Sequence, residues 1–222
     1  MTVPTFLRLF CISVTILSFS IPAAYSQQAA AALDKMPADT IALRRDISFS
    51  QIRTRGAGGD WMSVTMELLP NLNPDPTAKS REFLENVETI LHMAFEAPPG
   101  PDGAPKFEFY QSRCTISIMK ARQPVIMAFF LPGHIVERDK LPREPKYWAV
   151  EFNVNNVPQE PSKSTVSRYY KSNLEQLPSF LQKSATDSRA NDGLLMPQYI
   201  APTEIAVQAR VDTTIPFLRE GK

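Results

Sequence analysis

The chain has 222 residues, 24 basic against 23 acidic side chains, 43% hydrophobic and 9% aromatic residues. That apolar content is enough for a packed core and excludes wholesale disorder. The charge balance excludes a dedicated nucleic-acid binder, which needs a basic surplus for phosphates, and 20 prolines disfavour long helices.

Residues 1–26 read as a secretory signal. Met1–Arg8 carries one positive charge, Leu9–Ile21 is a mostly apolar run without charge, and Pro22 breaks it. Ala24-Tyr25-Ser26 then sets small residues where a signal peptidase reads, so cleavage falls after Ser26. The run is shorter than the roughly 20 residues that span a bilayer. Its removal takes away Arg8 and Cys11, leaving balanced charge and one cysteine, Cys114. An exported chain with one cysteine has no internal disulfide and depends on burial for stability. Cys114 alternates with Ile116 and Ile118, the pattern of a small buried hydrophobe in a strand.

Residues 27–45 are alanine-rich and read as a flexible or weakly helical lead. Residues 46–157 read as a β-sandwich. Ile47 and Phe49 alternate with serines, Gly56-Ala57-Gly58-Gly59-Asp60 is a hairpin turn, and Trp61–Leu69 sets Met62, Val64, Met66 and Leu68 on one face against Ser63, Thr65 and Glu67. Ser80–Glu96 fits both a helical face and a strand; the β-branched Val87, Thr89 and Ile90 favour a strand from about Val87. Lys106–Met119 and Val125–Leu131 are strand-like, His134–Leu141 is a helical crossover, and Tyr147–Asn153 points Trp148, Val150, Phe152 and Val154 inward. A seventh strand falls at Thr165–Tyr170 or Ile205–Val211. All eight glycines lie outside these strands. The fold class is therefore mostly β, an immunoglobulin-like antiparallel β-sandwich. Residues 158–222 form a C-terminal arm with one short helix: Asn173 caps it, Leu174, Leu177, Phe180 and Leu181 share a face, and Asn191-Asp192-Gly193 makes a turn. The pattern leaves open whether this arm lies on the sandwich or waits for a partner.

No catalytic, cofactor-binding or metal residues are assigned. The exported chain has three Cys or His residues (Cys114, His92, His134), too few for a structural zinc site, and no nucleophile elbow, phosphate loop or dinucleotide fingerprint. His134 with Glu137 is the densest chemical pair, at helical spacing for acid–base work, but a solvated surface turn explains it more simply. Tyr169, Tyr170 and Tyr199 suit either an aromatic recognition surface or the packing of the arm.

Three stretches carry a family likeness: Phe107-Glu108-Phe109-Tyr110; Phe130-Leu131-Pro132 with Ile135-Val136-Glu137-Arg138-Asp139; and Asn191 through Tyr199. On these the chain resembles a small verrucomicrobial family of the bacterial outer surface, encoded in a type IV pilus-like, secretin-containing gene cluster. The likeness runs from about Asp46 to Tyr199. It implies an immunoglobulin-like sandwich similar to archaeal pilus-like subunits, serving surface assembly or host contact. A polymerising pilin keeps a long hydrophobic first helix, whereas here the apolar run is short and is cut off, which favours an accessory protein. The expectation is a non-enzymatic interaction protein without cofactor, in the periplasm or at the outer membrane and cell surface, at most peripheral to the membrane. Its partners are envelope proteins of a pilus-like or secretin assembly, a host surface or a glycan, and not nucleic acid. The alternatives are a carbohydrate-binding adhesive module and a periplasmic hydrolase using His134 and Glu137.

Overall fold

The structure is a computed structural model and describes residues 33–53, 59–99, 103–211 and 214–218. The expected signal, the lead up to residue 32 and the turn glycines Gly56 and Gly58 lie outside the described residues.

In chain order the elements are β1 (Ile41–Leu43), β2 (Ser48–Ile52), β3 (Trp61–Pro70), β4 (Phe83–Ala97), β5 (Lys106–Lys120), β6 (Val125–Leu131), α1 (Gly133–Arg138), β7 (Tyr147–Val154), β8 (Val157–Pro158), α2 (Arg168–Lys171), α3 (Leu177–Asp187), β9 (Met196–Pro197), α4 (Thr203–Gln208) and β10 (Phe217–Leu218). They make two antiparallel sheets. In the first, β1 and β2 pair with successive parts of β3, which pairs with β6 and then β9. The second runs β10-β5-β4-β7-β8. With β1 and β2 taken as one broken strand, strands one, two and five share a layer and strands three, four, six and seven share the other. That is an immunoglobulin-like Greek-key order.

The faces turned toward each other are apolar by period two. Met62, Val64, Met66 and Leu68 of β3 and Met127, Phe129 and Leu131 of β6 meet Leu91, Met93 and Phe95 of β4 and Trp148, Val150, Phe152 and Val154 of β7. Phe95 and Tyr110 pack edge-to-face at 5.8 Å between centroids. Cys114 and Ile116 sit in this core, but Ile118 is exposed. Burial pushes the Cys114 thiol pKa well up, with the Glu88 charge adding to it, so the cysteine behaves as a hydrophobe.

Several expectations are corrected. β4 is strand from Phe83, because its long register with β5 outweighs the local helical pattern. Leu33, Met36, Ile41 and Leu43 belong to or pack on the core; the end of the supposed lead is thus part of the sandwich. Gln159 holds it there, accepting from Ile41 N at 2.7 Å and donating to the carbonyls of Ala38 and Ile41. Neither candidate seventh strand is one: Arg168–Lys171 and Thr203–Gln208 are helical. Beyond β7 the sheet continues with the two-residue β8, and Val166 adds a single bridge to Ala149. β8 follows Asn155-Asn156, both at positive φ (50° and 65°), as a two-residue type I′ hairpin requires.

The arm packs on the sandwich, and it covers both outer faces. Val166, Tyr170, Leu177 and Phe180 close over Ala94, Phe109 and Ala149 of the second sheet. Ala201, Ile205, Ala206 and Val211 close over Ile52, Ala128 and Phe130 of the first. Ser63, expected on a wet face, is buried beside Phe130 of this covered patch, and Glu67 is buried as well. Glu67 is balanced there by Arg44 at 2.7 Å and Arg45 at 3.0 Å. Among the described residues no helix is long and apolar enough to cross a membrane.

Truncating the centre of the core tests this packing. Phe95→Ala is expected to cost about 3–5 kcal/mol in urea unfolding, and a cost below about 1 kcal/mol would contradict the placement of Phe95.

Candidate functional site

The pair singled out by spacing does not assemble. His134 and Glu137 are both exposed on α1, and among the described residues no hydrogen bond or ion pair joins them. Glu137 instead lies over Gly59, where an added Cβ would meet its Oε1 at 2.7 Å. Gly59 has φ +68°, so this position requires glycine for both conformation and space.

A different histidine is wired into the fold. His92 on β4 is 1% exposed, with its Nδ1 3.1 Å from Ser184 Oγ on α3 and its Nε2 2.7 Å from Glu151 Oε1 on β7. A hydroxyl, an imidazole and a carboxylate in series have the connectivity of a nucleophilic triad. The burial order is reversed, however. Ser184 is fully buried, whereas the Glu151 side chain is 41% exposed. Substrate would reach the carboxylate and not the hydroxyl. The neighbouring cavity, about 30 Å³ and lined by Glu151, Gln159, Thr165 and Leu177 among others, touches neither His92 nor Ser184 and is water-sized. The series therefore fastens α3 to the second sheet, a polar tie within an otherwise apolar seam.

The three stretches that carry the family likeness converge. Tyr110 of β5 donates its hydroxyl to Asp139 Oδ2 at the end of α1. Arg138 grips the same carboxylate with Nε and Nη2, each at 2.7 Å, the bidentate geometry of a strong pair. Its Nη2 also reaches Asn191 Oδ1 at 3.5 Å, and Asn191 Nδ2 donates to the Phe109 carbonyl at 3.0 Å. Further on, Gln198 accepts from Ala128 N at 2.8 Å, and Met196-Pro197 pairs with Phe130-Phe129. A turn sets this last stretch: Asp192 at φ −59°, ψ 136° and Gly193 at φ +73°, with Leu194 N donating to the Asn191 carbonyl, form a type II turn. The result is a clasp joining the crossover, the long β5 and the arm. Arg138 and Tyr110 hold the Asp139 carboxyl below its usual range, Arg138 more strongly, against the effect of burial. Burial, then the bond to Asp139, raises the Tyr110 phenol.

Beside the clasp lies an open groove of about 360 Å³, walled by Gln111 and Arg113 of β5, Arg189, Met196, Tyr199 and Ile200. The tyrosines do not form one surface. Tyr170 is buried, and burial pushes its phenol up to about 12. Tyr169 meets it edge-to-face at 5.0 Å between centroids and donates to Gln176. Tyr199 packs on Phe217 at 5.3 Å, beside the groove. Among the described residues no group of three or more His, Cys, Asp or Glu is placed to hold a metal.

No known family profile matches the chain, and no curated protein matches it. Among solved structures, one from Akkermansia muciniphila is similar over 57% of this chain and 67% of that chain, at 12% identity and a TM-score of 0.41. A likeness of that size adds nothing to the fold argument, which rests on the strand order.

The clasp has a pH signature. A carboxyl whose folded pKa is depressed contributes stability above its unfolded pKa of about 3.9 and loses it as pH falls through the lower folded value. Asp139→Asn is therefore expected to lower urea stability by about 1–3 kcal/mol at pH 7, with the gap to the native chain closing below about pH 4. A gap that stays constant with pH would contradict the charged clasp. For the buried series, Ser184→Ala is expected to cost about 1 kcal/mol and to raise hydrogen exchange in α3 above that in β6; equal changes in both would remove its fastening role.

Proposed function

We propose that this chain is an exported, non-enzymatic interaction protein of a pilus-like, secretin-associated envelope assembly, an accessory component and not a polymerising subunit. The observation that carries this reading is the convergence of the three family-like stretches on one structural clasp. The residues that make the chain resemble that family act on shape: they fix the arm against β5 and leave a groove beside it. The chemical candidates give no competing reading, since His134 and Glu137 are unjoined and the Ser184 hydroxyl is sealed. Export is supported by the leader pattern of residues 1–26.

Affinity recovery of the native chain from crosslinked cell envelopes, followed by mass spectrometry, tests the proposal. Secretin or pilus-like components are expected in the recovered material. A chain found in the cytosolic fraction, or recovered from the envelope without any such component, would contradict it.

A further inference from the structure

The arm covers both outer sheet faces, and its two covers are held differently. α3 is tied to the second sheet by polar groups as well as by packing. Ser184 Oγ lies 3.1 Å from His92 Nδ1, and Ser188 Oγ donates to Gln111 Oε1 at 3.2 Å. Just beyond the helix, Asn191 donates to the Phe109 carbonyl, and Lys183 holds its ammonium 5.3 Å from the centre of the Phe109 ring. The apolar side chains pressed down beside these ties, Tyr170, Leu177 and Phe180, are large. α4 has no such ties. Among the described residues, no side chain from Ala201 to Val211 makes a hydrogen bond or an ion pair, and the backbone bonds of this stretch stay within it or reach back to Pro197.

The apolar hold of α4 is small as well. Ile205 and Ala206 of the helix, with Ala201 and Val211 at its flanks, sit on Ile52, Ala128 and Phe130. Its six residues do not make a helix that stands alone in water, where about 12–15 are needed. Pro202 at its N-cap offers no side-chain acceptor. Arg210, just past its C-cap, has φ 55°, a left-handed conformation that glycine adopts freely and arginine does not. We propose that α4 is a releasable lid: it lifts from the first sheet by itself, while α3 and both sheets stay folded. Lifting bares the apolar patch of Ile52, Ala128 and Phe130 and relaxes Arg210. The opening stays local because the chain is pinned on either side, by Gln198 and β9 before α4 and by Ile215 and β10 after it. Elements with few buried contacts and no polar ties are the ones that open first. The inference stands apart from the envelope role and needs no partner to be present.

Thiol labelling of the full chain under native conditions, followed site by site by mass spectrometry, tests the lid. Ala128→Cys sets a thiol beneath α4, and Ala94→Cys sets one beneath the cover of the second sheet; both alanines are buried. The native Cys114, in the core between the sheets, reports global unfolding. Ala128→Cys is expected to react about tenfold or more faster than either Ala94→Cys or Cys114. Adding Ile205→Ala should speed the Ala128→Cys reaction further and leave Ala94→Cys unchanged. Hydrogen exchange on the unsubstituted chain keeps the test decisive if a cysteine variant fails to fold. There the Ala206 and Ala209 amides should exchange about tenfold or more faster than the Ser184 amide, each relative to its unfolded rate. Equal labelling beneath the two covers, a speeding of both by Ile205→Ala, or equal protection of α4 and α3 would each overturn the proposal.

Discussion

Both sheets of this protein are apolar on the inner face and carry an apolar patch on the outer one, so each has to be covered twice. Pressing the sheets together buries one face of each. The remaining faces, with Phe109, Ala94 and Ala149 on one sheet and Ala128, Phe130 and Ile52 on the other, would stay in water without the arm. Exposed patches of that kind are unfavourable and sticky. The arm resolves this by running across one outer face as α2 and α3, turning at Asp192-Gly193, and crossing to the other as α4. The molecule is thus four layers deep, with helices outside and sheets inside.

The polar groups are placed where this wrapping changes direction. On one side of the sandwich Gln159 sews the residues before β1 to β8. On the other, Arg138, Asp139, Tyr110 and Asn191 tie the crossover to β5 and to the turn of the arm. His92 with Ser184 and Glu151 fastens α3 midway. Each group directs a segment that apolar contact alone would let slide, since hydrophobic attraction is non-directional. The groove beside β5 follows from the same route, because its wall is made where the arm turns at Asp192-Gly193 and runs on through Met196 to Ile200.

Much of this was legible in the residues, and the rest was hidden for physical reasons. The β7 alternation of Trp148, Val150, Phe152 and Val154 is a half-buried strand read directly, and those side chains do enter the core. α1 and the Asn191-Asp192-Gly193 turn were equally plain. β4 was ambiguous because Phe83, Val87 and Leu91 suit either period; a long register with β5 decided it. β1 is three residues inside an alanine-rich stretch, too short to leave a periodic trace. The Thr165–Tyr170 and Ile205–Val211 segments are apolar because they cover sheets, not because they join them. The site was hidden most. Its bonds join positions 29, 53 and 82 residues apart, and His92 to Ser184 spans 92. Spacing along the chain brought out His134 and Glu137 instead, which share a helical turn and nothing else.

The dependence of the sandwich on its arm is open to one direct measurement: cooperative urea unfolding of a chain ending at Pro161. The account expects no cooperative transition and strong binding of a hydrophobic dye, because the apolar patches on both outer faces are left bare. A sharp transition with a midpoint close to that of the full chain would show that the sandwich stands without its cover and would contradict the account.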